Sequence, residues 1–259
     1  MGSAAFIAVL AVVAPFVYIH FVEGPPPSKL ALPTTHSAST ASGVTDIAGV
    51  AGIYHVGSGS QAGYRVSEVL IGQSSTAVGR TTKIWGSVTL SGTSVMTGTF
   101  AVNMSTVQSD QSERNSQFDG RIMDVAKYPT ATLKLTEPIA LRTIPRLGSS
   151  RSFAAAADLS MHGVTRELTF PLMAERTANG IYALAEVPIV FADWDIANPS
   201  IGGFVTTDSS GTLEVLVHLI KGAGNPVDSG SAPVGAGTPE PVTVPRTTVP
   251  RITIPSSKQ

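Results

Sequence analysis

Few residues in this chain could do chemistry, and their spacing limits what that chemistry would be. Histidines stand at positions 20, 36, 55, 162 and 218, and there is no cysteine. Thiolate nucleophiles, disulfides and cysteine-ligated zinc or iron–sulfur centres are thereby excluded. No histidine shares a helical face with another histidine or a carboxylate at metal-ligand spacing. A phosphate-cradling glycine loop and a Gly-x-Ser-x-Gly elbow are both missing. Serine is abundant, but a nucleophilic serine needs a positioned base. Asp193 and Asp195 flank Trp194. Residues two apart on a strand share a face, so these carboxylates could do acid–base work. The Asn198-Pro199 step that follows reads more simply as a turn. His162 precedes Gly163 in LSMHGVTRELTFPL (159–172), where apolar and polar residues alternate on both sides. That is a tight turn between two strands, with glycine supplying a positive φ. A histidine there is exposed or bonded to backbone. The expected catalytic and metal-ligand sets are therefore empty.

The elements that would hold these residues have period two almost throughout 52–221. Ile84, Val88 and Leu90 face away from Lys83, Trp85, Ser87 and Thr89. Phe100, Val102 and Met104 oppose Ala101, Asn103 and Ser105. Ala131, Leu133 and Leu135 oppose Thr132 and Lys134. Phe153, Ala155, Ala157, Leu159 and Met161 share a face, as do Val164, Leu168, Phe170 and Leu172. Val187, Ile189 and Phe191 continue the pattern. Leu213, Val215, Val217 and Leu219 close it, opposite Glu214 and His218. Ile53–Val56 and Tyr64–Ile71 are strand-like with weaker alternation. Only Asp110–Asp124 breaks the rhythm, and there Asp110 or Ser112 could cap a short helix with Glu113 in its first turn.

About nine half-apolar strands need a partner for their apolar face, which leaves a sandwich or a closed barrel. Closure also removes exposed edges. Small inward residues, above all in Ala154–Ala157, leave room inside. A barrel of about eight strands either fills its interior or holds one small ligand. Alternation nominates Phe100, Val102, Met104, Leu133, Leu135, Phe170, Leu172, Ile189 and Phe191 as ligand-binding wall residues. Three functions fit such a barrel. A hollow one carries a hydrocarbon guest. A filled one is a scaffold. An enzyme would need Asp193, Asp195 or His218 to point inward and meet a partner.

The flanks read differently. Residues 4–22, AAFIAVLAVVAPFVYIHFV, carry no charge. At about 1.5 Å per residue such a helix approaches the ~30 Å hydrocarbon core of a bilayer. We read 1–22 as a transmembrane anchor, the alternative being a cleaved signal peptide. The EGPPPSKLALP that follows is a poor peptidase site. Residues 23–51 are rich in Pro, Ser, Thr, Ala and Gly and read as a flexible linker. Residues 222–259, with VTVPRTTVPRITIP, read as a disordered Pro/Thr-rich tail. The formal net charge is −1, only 14% of the 259 residues are charged, and the 17 Lys and Arg form no run. Charge therefore points to no nucleic-acid partner, anionic membrane surface or acidic substrate.

LSMHGVTRELTFPL resembles a hairpin of the YceI-like family of polyisoprenoid-binding proteins. GIYHVGSGSQAGYRV (52–66) is similar to the family's opening strands. The block 96–135, with its Arg-bearing short helix and the D-x-x-KYP step at Asp124–Pro129, is similar to its centre. FADWDIANPS and the strand after it, within 191–220, resemble its closing loop and strand. The stretch Gln111–Asn115 departs from the Asn-x-x-Arg-Asp run often seen there, which puts the helix cap in question. The resemblance implies an all-β, extended antiparallel, lipocalin-like barrel of about eight or nine strands with one short helix. Here it would follow a transmembrane helix. It also implies an apolar tunnel for an isoprenoid lipid or quinone, no catalytic residues, and a place on the extracytoplasmic side of the cell membrane, or secretion if the leader is cleaved. A homodimer is left open.

Overall fold

The structure is a computed structural model that describes residues 25–33, 47–70 and 72–222. The anchor expected at 1–22 lies outside the described residues, as does the tail from 223 onward. Among the described residues no helix is long and apolar enough to cross a membrane.

The chain forms β1 (Gly52–Val56), β2 (Gln61–Leu70), β3 (Gln73–Thr81), β4 (Ile84–Ser91) and β5 (Ser94–Asn103). After a helical insertion come β6 (Thr130–Leu135), β7 (Ile139–Ala140), β8 (Ser150–Met161), β9 (Val164–Thr177) and β10 (Gly180–Val190). The short β11 (Val205–Thr207) precedes the long β12 (Ser210–Lys221). Eight of these strands close a ring in the order β1-β4-β5-β6-β8-β9-β10-β12, because β1 pairs with both β4 and β12. All strand pairings are antiparallel. The sandwich alternative falls, and the expected closed barrel stands.

Closure depends on a break in the first strand. β1 and β2 pair with the same neighbour, β12, and between them Gly57–Ser60 stand opposite only Val217 and His218. The Ser60 hydroxyl repairs the interrupted ladder. It accepts from the His218 N–H at 2.9 Å and donates to the Gly57 carbonyl at 2.8 Å. Beyond the break, β2 leaves the ring's path and takes β3 as a second partner. The far end of β3 is tied back by two hydrogen bonds exchanged between Arg80 and Gln108. Gly79 makes room for the Tyr64 ring lying against it; any side chain there would collide with the ring.

The helical insertion is Ser112–Gln117, continued by a π-helical turn, Phe118–Ile122. Glu113 stands in the first turn as expected. Neither Asp110 nor Ser112 is the cap, however. Gln111 holds that position without a side-chain bond. Asn115 ties the preceding loop to the helix, its side-chain oxygen accepting from the Ser109 N–H at 2.7 Å and the Ser109 hydroxyl at 2.9 Å. Asp110 instead accepts from Arg114.

The outer wall is not simply solvated. Glu214 faces out from β12, yet its side chain is 1% exposed, gripped by Arg65 and Arg80 at 2.8 Å each. Burial pushes the Glu214 carboxyl up, and the hydrogen bonds and charges of the two arginines more than reverse it. The same arginines donate to the carbonyls of Pro27 and Ser28, Lys29 pairs with Glu186, and Leu30 is buried. Residues 25–33, inside the stretch read as linker, thus lie as a strap across the barrel. The short helix Ile47–Val50 also belongs to the folded unit, with Val50 buried in the core.

Candidate functional site

The inward faces of the ring enclose a cavity of about 580 Å³, within the ~300–1,000 Å³ typical of small-molecule pockets. Small side chains create the room. Ala131 of β6, Ala155 of β8 and Ala183 and Ala185 of β10 all face it, where larger residues would meet across the interior. All nine side chains nominated by alternation line this cavity. Phe100 and Val102 come from β5, Leu133 and Leu135 from β6, Phe170 and Leu172 from β9, and Ile189 from β10. Met104 and Phe191 stand just past strand ends, in 3₁₀ turns. Sequence reasoning missed other lining residues. Val50, Leu141, Ile144 and Pro145 come from segments without strand periodicity, and Ala77 comes from the unforeseen strand β3.

Among the described residues, polar groups reach the cavity only near its two ends. At the helix end Arg114 bonds Glu68 at 2.9 Å and Asp110 at 2.6 Å. Burial works against the Arg114 charge, and Glu68 and Asp110 more than restore it. Tyr64 lies beside them, stacked on Phe118 with centroids 5.2 Å apart, and burial pushes its hydroxyl up to about 12. At the opposite end Glu175 and Arg176 line the wall next to Leu141 and Ile144.

The residues considered for catalysis stand elsewhere. Asp193 and Asp195 are exposed beside a 3₁₀ turn, Phe191–Trp194, and neither lines the cavity. His218 faces out, stacked on Tyr182 at 4.2 Å, with Nδ1 3.0 Å from the Ser58 carbonyl. His162 is a fastener. With φ of 51° it forms, with Gly163 at 79°, the tight turn between β8 and β9. Its Nδ1 donates to the Trp194 carbonyl at 3.0 Å, and its ring packs edge-on against Tyr128. Trp194, 1% exposed, is thereby clamped over the wall, and Arg166 adds a bond to the Asp193 carbonyl. Among the described residues no cluster of His, Asp and Glu could hold a metal ion.

A hollow antiparallel barrel with an apolar interior, capped at one end by a short helix, is the class this geometry defines. The YceI-like domain model matches residues 54–219, and the chain belongs to that family. No curated protein sequence matches it. Among solved structures it is similar to a polyisoprenoid-binding domain from Saccharophagus degradans. The identity is 13% and the TM-score 0.54, with 66% of this chain and 99% of that one covered. It is also similar to BcnA of Burkholderia cenocepacia (15% identity, TM-score 0.47, 60% and 94% covered). The YCEI protein of Campylobacter jejuni is a further neighbour (12%, 0.40, 53% and 81%). Only the first likeness is close enough to speak for the fold.

Proposed function

We propose that the barrel binds a lipid by its isoprenoid tail, as a prenol or a prenyl quinone would present it. The observation that carries this reading is the apolar cavity of about 580 Å³. Each CH₂ transferred from water into such a space contributes about 0.8 kcal/mol. A tail of several isoprene units then binds without a specific polar contact, and tail length is discriminated better than headgroup. We further place the barrel on the extracytoplasmic side of a cell membrane, held by residues 4–22. The apolar run supports this, and protease access to the barrel in intact cells tests it.

The binding reading is tested by isolating the full chain from membranes, extracting it with organic solvent and identifying the released lipid by mass spectrometry. A prenyl lipid is the expected product. Ala155→Phe and Ala183→Phe, each adding a ring to the cavity, should abolish its recovery while the thermal transition persists. Either variant that folds suffices. Wild-type protein that never releases a prenyl lipid, or a folded filled variant that releases as much, would overturn the proposal.

A further inference from the structure

The barrel's two ends differ in charge, a difference the net charge of −1 conceals. At the helix end Glu68, Asp110, Glu113, Asp119 and Asp124 outnumber Arg114, Arg121 and Lys127, and Arg114 is held between two of these carboxylates. The opposite end gathers Arg142, Arg146, Arg151, Arg176 and Lys221, from three stretches of sequence. Contacts tie them to one place. Arg151 donates to the Leu141 and Thr143 carbonyls, Gly148 donates to the Arg176 carbonyl, and Lys221 donates to the Gly49 carbonyl. Among the described residues only Glu137 and the buried Glu175 oppose them at that end.

The loop 141–149 sits at the centre of this basic end and has two sides. Leu141, Ile144 and Pro145 turn inward and line the cavity. Arg142, Arg146 and Leu147 turn outward, and Leu147 is 46% exposed. Its backbone is held by Leu141 to Thr93, by Gly148 to Arg176 and by the Arg151 guanidinium on the Leu141 and Thr143 carbonyls, while Arg146 and Leu147 stay at the surface. One short segment therefore joins an exposed leucine, adjacent to Arg146 in the chain and bridged to Arg176, to the apolar lining behind it. We propose that this loop docks on an anionic lipid bilayer and is the portal through which the tail enters. A greasy side chain flanked by guanidiniums suits the headgroup boundary of such a bilayer. A water-insoluble tail also needs a dry path from bilayer to cavity, which Ile144 and Pro145 begin. The docking surface stands on geometry alone; the portal role rests on the lipid-binding reading above.

The chain lacks cysteine, so Leu147→Cys can carry a single environment-sensitive dye on the full-length protein, and Phe204→Cys, at a residue 67% exposed near the helix end, is the control. Vesicles are phosphatidylcholine alone or mixed with phosphatidylglycerol, so any insertion by residues 4–22 is common to both. The dye at 147 should shift to the blue on the anionic vesicles only, and high salt should reverse the shift. Each arginine near an anionic surface is worth about fivefold in partitioning, so Arg142→Gln with Arg146→Gln should weaken the response roughly 30-fold. That double variant should also slow uptake of a fluorescent prenol from anionic vesicles and leave its affinity for prenol in solution unchanged. The docking proposal is overturned by no shift at 147, by an equal shift on neutral vesicles, by a shift at 204 instead, or by a shift that follows protein concentration without vesicles. Unchanged uptake in the double variant overturns the portal. If no prenol binds in either format while the dye at 147 still responds, the lipid-binding reading fails and the docking surface stands.

Discussion

Strand β12 builds two walls at once. Leu213, Val215, Val217 and Leu219 face the cavity, and Glu214 and His218 face outward. Ordinary packing logic gives the apolar side the energetic weight and the polar side to water. Here the inward residues border a hollow, and their side chains lack neighbours across it. Glu214 is almost wholly enclosed, bonded by two arginines that also hold the strap at 25–33. A cavity wall is under-packed by design of its function, so the fastening of this barrel falls partly on its outer, polar layer.

That contrast is tested on adjacent residues. Glu214→Ala leaves Arg65 and Arg80 partly buried without their carboxylate, and removing one member of such a cluster is strongly destabilising. We expect a loss of about 3 kcal/mol in a denaturant titration. Val215→Ala removes two methyl groups that border a void and should cost only about 1 kcal/mol. An inward truncation that costs more than the outward one would break the comparison. The pH dependence sharpens it. Glu214 lies below its ordinary value of 4.5 in the folded protein. Its contribution to stability is complete above that ordinary value and is lost as pH falls through the lower, folded value. Melting temperatures of wild type and Glu214→Gln should therefore converge as the pH is lowered from 4.5 through the depressed folded value.

His162 belongs to the smaller effects. Ala at 162 bears the left-handed strain that His162 already carries and forfeits the hydrogen bond to Trp194, worth about 1 kcal/mol. Asn tolerates the backbone, so His162→Asn should recover part of the loss measured for His162→Ala. Equal losses in the two variants would show that the backbone conformation contributes nothing.

Alternation made the inner wall legible, because a residue facing a cavity and one facing a core obey the same period of two. The closed ring, the turn at His162-Gly163 and all nine nominated wall positions came from that signal. Strand β3, QSSTAVGRT, did not, since its order comes from pairing with β2 and not from an apolar stripe. The loop 141–149 was invisible for a related reason. Leu141 and Ile144 are three residues apart in a segment with no regular element, so nothing marked them as lining. The helix cap was misassigned because Gln111 holds the cap position without a side-chain bond, so no capping residue type marks it. The basic end could not be read at all, because its members come from distant stretches and meet only when the strands align. A net charge of −1 pointed to no anionic surface, and a whole-chain sum says nothing about one face.

The outermost interaction sets the lower limit of the comparison. Glu186 and Glu214 are direct cross-strand partners between β10 and β12, an unfavourable placement for two like charges. Arg65 and Arg80 take up Glu214, and the strap brings Lys29 to Glu186 at 3.0 Å. Both members of that second pair are substantially exposed, at 61% and 39%, so water and salt screen it. Lys29→Ala should cost less than about 1 kcal/mol, and less still in high salt. A double-mutant cycle with Glu186→Ala isolates the pair. If the strap is held by the buried arginine clamp, the coupling will be small and salt-sensitive, while Glu214→Ala will raise proteolytic cutting at 25–33. Strong coupling at Lys29, with strap protection unchanged in Glu214→Ala, would move the fastening from the enclosed cluster to the surface pair.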